Sequence, residues 1–130
     1  MANRRLEQFT YSSERMPTHI FAKVTFGSSG APTLTANPFI TSCTRNSAGD
    51  YTFVFTDVWN ALLGVSVVFD SGSSLPAAPA MNIQSNLVAT AASKSLEIVF
   101  SDLETPAATD PASGEIAYLD FVMKNSSVTY

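Results

Sequence analysis

The chain should fold as an all-β domain, a β-sandwich or jelly-roll-like body preceded by an extended N-terminal arm, and three features of the sequence say so. Charged residues make up 14% of its 130 positions against 45% hydrophobic ones. With so few charges and so many serines and threonines, hydroxyls have to solvate the surface, whereas surface helices and coiled coils use charge. Short apolar stretches also alternate with period two, the spacing that sends successive side chains to opposite faces of a strand. Turn residues then separate these stretches at short intervals, and the longest helical candidate is about two turns. A chain of this length holds one core.

Residues 1-16, MANRRLEQFTYSSERM, read as the arm and 17-130 as the body. Arg4, Arg5 and Arg15 against Glu7 and Glu14 give the arm a charge of +1, whereas the rest carries −5 of the net −4. Pro17 restricts Met16 to extended backbone and so marks the boundary. Leu6, Phe9, Tyr11 and Met16 are too many large apolar groups for a solvated tail, yet they fit neither a helical stripe nor an alternating strand. The arm is therefore expected to be ordered by docking.

HIFAKVTF, residues 19-26, alternates cleanly and predicts a strand. GSSGAPT is turn chemistry and TLT a short strand. FITSCTR, residues 39-45, and YTFVFTDV, residues 51-58, make a hairpin around the loop NSAGD, with Gly49 available for positive φ. Asp57 is placed to cap one helical turn over VWNALL, ended by Gly64. GVSVVFD, residues 64-70, is a strand, SGSSLPAAPA a loop, and MNIQSNLVATAAS an irregular or weakly extended stretch. SLEIVFSD, residues 95-102, and IAYLDFVMKN, residues 116-125, are strands flanking an exposed acidic loop, LETPAATDPASGE. VTY at the end is a candidate edge.

The acidic balance, with a pI near 4.7, leaves no footprint for nucleic acid. No apolar run reaches the roughly 20 residues of a membrane span, and no apolar stretch follows the N-terminal arginines, so synthesis in the cytoplasm is expected. Cys43 is the only cysteine, too few for an internal disulfide or a zinc site.

The sharpest catalytic-looking string is VVFDSGSS, residues 67-74, because an apolar strand running into Asp70-Ser71-Gly72 resembles the active-site turn of aspartic proteases. A chain this short would need a homodimer to bring two carboxylates together. The glycine-rich flap and the later apolar-apolar-Gly segment of such enzymes do not follow Gly72, and an ordinary turn in which Asp70 accepts backbone N–H bonds explains the string. His19 is the only histidine that could serve a Ser or Cys nucleophile as base, no G-x-S-x-G elbow is present, and a strand-edge histidine is the simpler reading. Cys43 reads as a small buried hydrophobe. Asp102, Glu104, Asp110 and Glu115 could offer oxygens to calcium, but their spacing matches no loop motif and a solvated acidic loop is favoured. Asn125-Ser126-Ser127 is formally a glycosylation sequon, unused without secretion. Tyr11, Tyr51, Trp59 and Tyr118 could form a sugar-stacking platform, although scattered aromatics of β-domains usually belong to the core.

The start NRRLEQFTYSSERMP, the strand HIFAKVTFGSSGAPTL and the stretch TRNSAGDYTFVFTDVWNALLGV together resemble capsid cement or decoration proteins of podovirus-type tailed bacteriophages. The likeness covers residues 3-65 and fades after Asp70. It implies a non-enzymatic structural protein without cofactor or metal, made in the host bacterium and sitting on the outer capsid surface of the virion. Its partners would be the major capsid protein and further copies of itself, a trimer being favoured over a dimer. The arm residues Arg4, Arg5, Leu6, Phe9, Tyr11, Arg15 and Met16 would then form the capsid- or subunit-binding segment. Sixteen extended residues span at most about 50 Å, beyond the roughly 35 Å width of such a body. The rival classes are a homodimeric aspartic protease using Asp70 and a carbohydrate- or receptor-binding β-module.

Overall fold

A computed structural model describes residues 17-72, 75-105 and 107-125. The arm, all seven of its proposed contact residues and the terminal VTY lie outside the described residues. Eight strands form two antiparallel sheets: β1 (Thr18–Phe26), β2 (Pro32–Leu34), β3 (Ile40–Ser47), β4 (Asp50–Phe55), β5 (Ala61–Asp70), β6 (Ala80–Leu87), β7 (Ser95–Ser101) and β8 (Ile116–Lys124). The order is β2-β1-β8-β5 in the first sheet and β3-β4-β7-β6 in the second. This is the all-β sandwich that the alternation predicts.

The alternation buries one face of each sheet. Ile20, Ala22, Val24 and Phe26 of β1 pack with Ala117, Leu119, Phe121 and Met123 of β8 from one side. Tyr51, Phe53 and Phe55 of β4 and Leu96, Ile98 and Phe100 of β7 meet them from the other. Aromatic edges interlock: Phe26 meets Tyr51 at 5.3 Å between ring centroids and Phe55 meets Phe121 at 5.3 Å, both T-shaped. Each such ring stabilises the fold by about 1.5–3 kcal/mol through burial.

Four sequence expectations are corrected. The helical turn after Asp57 does not form. Ala61 and Leu62 instead pair with Lys124 and Met123, and a bulge at Leu63 breaks the alternation that would have shown a strand there. The stretch 81-93, irregular or weakly extended by its sequence, is regular strand in its first part, which belongs to β6 and completes the second edge of β7 from Ala80 to Leu87. The β3–β4 hairpin turns on Ala48 and Gly49 alone, Ser47 pairing with Asp50. Gly49 takes φ +72°, and a Cβ there would lie 2.5 Å from the Thr109 nitrogen, so glycine lets the 102-115 loop close on the turn. That loop is the fourth correction, since it is not simply solvated: Glu115 is buried and Asp110 largely enclosed.

Candidate functional site

The sandwich has two ends. β1 finishes, β3 turns into β4, and the loops 71-79 and 102-115 cross between sheets at one of them, the Gly49 end. Asp110 organises it. Arg45 grips its carboxylate with two hydrogen bonds, Nε to Oδ1 at 2.9 Å and Nη2 to Oδ2 at 2.7 Å. The Gly49 N–H donates to Oδ1 at 2.8 Å. The Tyr51 hydroxyl donates to the Gly30 carbonyl at 2.7 Å and lies 3.0 Å from Oδ1, so its one proton is shared between two acceptors. The bonds from Arg45, with help from Gly49 and Tyr51, hold the Asp110 carboxyl below the usual carboxylate range. Burial and the neighbouring Asp110 push the Tyr51 hydroxyl well up, which keeps it a donor. Gly30, with φ +70°, permits the approach, because a Cβ there would sit 2.5 Å from the Asp110 carboxyl carbon.

Glu115 does similar work beside it. Its Oε1 accepts from the Ala77 N–H at 2.9 Å and its Oε2 from the Ala112 N–H at 3.0 Å, tying the two crossing loops together. Asp102 accepts from the Glu104 N–H at 3.1 Å. Asp102, Asp110 and Glu115 are thus engaged with donors, and among the described residues no group of three or more His, Cys, Asp or Glu is placed to hold a metal ion. The arrangement is a brace.

The outer faces of the two sheets differ in chemistry. On the first sheet the register lines up Lys23, Tyr118 and Val68 in one row and Phe21, Asp120 and Ser66 in the next. Phe21 is 68% exposed, Val68 69% and Tyr118 45%. Lys23 Nζ stands 5.9 Å over the Tyr118 ring, and Phe21 stacks on His19 with centroids 6.0 Å apart. On the second sheet the same positions hold mainly short polar and amide side chains, Ser42, Thr44, Thr52, Asn82, Ser85, Ser95 and Glu97, with Val54, Val99 and the exposed Leu87. Three large side chains exposed on one face, interleaved with Lys23, Asp120 and Ser66, make this face a candidate contact surface.

The remaining sequence candidates fall into place individually. Asp70 accepts from the Gly72 N–H at 3.2 Å, and Gly72 has φ +74°, the geometry of an Asx turn. His19 Nδ1 lies 3.0 Å from an Asp120 oxygen, and Ser66 sits across the strand on the other side of Asp120. The order is therefore His-Asp-Ser, which puts the carboxylate rather than the imidazole beside the hydroxyl, unlike a Ser-His-Asp triad. Cys43 is partly covered by the core, and burial pushes its thiol up to about 12, so it stays protonated. The aromatic platform does not assemble: Tyr51 is in the core, Trp59 packs at the far end, Tyr118 stands on the outer face, and Tyr11 lies outside the described residues. Sequence reasoning missed the Arg45–Asp110–Tyr51 cluster, because its members are 59 and 65 positions apart and share no local spacing.

Among known proteins, the chain matches no family model, no curated sequence and no solved structure.

Proposed function

We propose that this chain is a non-enzymatic structural protein of a virion, binding the outer surface of a tailed-bacteriophage capsid and cementing neighbouring major capsid protein subunits. The observation that carries this reading is the division of labour in the sandwich. Its enclosed carboxylates, Asp110 and Glu115, brace loops, while one outer face leaves Phe21, Val68 and Tyr118 exposed, where a partner could cover them. A cement protein needs such a rigid body and adhesive surface and no reaction centre. Nested pairing of β8 between β1 and β5, and of β7 between β4 and β6, supports the jelly-roll-like description. The arm would add a second contact, and two linked contacts gain avidity through effective concentration even when each is weak.

The test is co-sedimentation of the purified chain with phage heads lacking it, followed by cryo-microscopy. Bound density at boundaries between capsid subunits is expected. Phe9→Ala should weaken binding at low and high salt, whereas Arg4→Ala with Arg5→Ala should weaken it mainly at low salt, where charge is unscreened. Failure to bind heads would overturn the reading, as would a peptidase activity in the natural chain that Asp70→Asn abolishes.

A further inference from the structure

Each sheet has two edges, and three of the four are blunted. β2 is three residues long. β3 is interrupted by register shifts between Ile40 and Ser42 and between Arg45 and Ser47. β6 is shifted between Ile83 and Ser85 and carries the amides Asn82, Gln84 and Asn86. Short edge strands and bulges are the usual means of preventing unwanted strand addition. β5 has neither protection over most of its length. Its ten residues, ALLGVSVVFD, contain no lysine, arginine or proline. Its single shift, between Leu62 and Gly64, leaves Gly64 to Asp70 in unbroken register with β8. Among the described residues no strand covers its other side.

We infer that this free edge of β5 pairs antiparallel with the same edge of a second copy, joining two four-stranded sheets into one of eight strands. Strand pairing must keep inward side chains level with inward ones, so a two-fold axis has to pass through a residue and not between two. An axis at Val67 sets Val65 opposite Phe69 on the inner side and Ser66 opposite Val68 on the outer side. Asp70, the only charge on β5, then lies opposite Gly64, so no like charges meet. The second copy fits better than an unrelated partner because this segment complements itself. The junction also joins the two outer faces that carry Phe21 and Tyr118, bringing Val68 of each copy towards the middle of one continuous surface. Two-fold closure gives a dimer in place of the trimer expected from the sequence. It also holds the two Asp70 residues about 20 Å apart along the strands, unlike the paired carboxylates of a protease.

This inference does not depend on capsid binding, and its test uses the full chain without heads. Sedimentation equilibrium at micromolar concentration should show a dimer. Ser66→Lys with Val68→Lys places like charges opposite each other at two symmetric positions and should raise the dissociation constant about tenfold or more. Both side chains face outwards, so circular dichroism should be unchanged. Ser66→Lys with Val68→Glu places opposite charges at the same positions and should restore the dimer. A wild-type monomer or trimer, a dimer indifferent to the double lysine variant, or failure of the lysine-glutamate pair to restore association would each overturn the inference.

Discussion

The two ends of the sandwich are closed by different means. At the Gly49 end the two longest connections, 71-79 and 102-115, are held by carboxylates, Asp110 gathering Arg45, Gly49 and Tyr51, and Glu115 gathering Ala77 and Ala112. At the Trp59 end the connections 35-39, 56-60 and 88-94 are shorter, and main-chain bonds bind them to neighbours. Phe55 N–H donates to Lys94 at 2.7 Å, Thr56 N–H to Phe39 at 3.0 Å and Trp59 N–H to Val88 at 3.1 Å. A main-chain pair joins one donor to one acceptor, whereas a carboxylate with two oxygens can collect several donors from segments far apart in sequence. A chain poor in charge thus places its enclosed carboxylates where loop length leaves most backbone to be anchored.

The comparison breaks most visibly at Asp110. Asp110→Ala leaves Arg45, the Gly49 N–H and the Tyr51 hydroxyl without their shared acceptor and should cost about 2–3 kcal/mol, read as a lower urea midpoint with unchanged slope. A loss under about 0.5 kcal/mol would mean that the brace is ornamental. Acid sharpens the contrast next. Because the folded-state carboxyl of Asp110 is held below its ordinary value, its contribution is fully present above the unfolded value of about 4 and is lost as pH falls through the folded one. The urea midpoint should therefore fall further between pH 7 and pH 3 in the natural chain than in Asp110→Asn, and equal falls would remove Asp110 from the account. The smallest effect is expected at the opposite end. The Trp59 Nε1 is buried with no hydrogen-bond partner among the described residues. Trp59→Phe removes that unsatisfied donor along with some packing, and the midpoint should stay within about 1 kcal/mol of the natural chain.

The sequence showed the strands whose alternation faces a core on one side, β1, β4, β7 and β8, because period two is a local signal. β6 reads only as irregular or weakly extended because its bulge shifts the phase midway: Asn82 lies level with the outward Val99, whereas Asn86 lies level with the buried Leu96. The start of β5 reads as a helical turn because Ala61-Leu62-Leu63 does not alternate. That bulge can be understood only from its pairing with β8, more than fifty positions away. The brace was illegible for the same reason: nothing near Asp110 announces Arg45 or Tyr51. Phe21, Val68 and Tyr118 were each visible as strand residues, but that three strands align them on one face follows from sheet order, which alternation does not encode.

Trp59 is the only tryptophan in the chain, and this makes it an optical probe of one place. The indole sits where Asn60 donates its N–H to the Lys124 carbonyl and where β1 begins opposite Met123, so it reports on the end at which the described chain both enters and leaves the body. Its emission responds to the polarity around the ring and to any acceptor that reaches Nε1. Loosening of the Trp59 end will therefore register in fluorescence, while loosening around Asp110 will leave that signal in place until the whole sandwich opens.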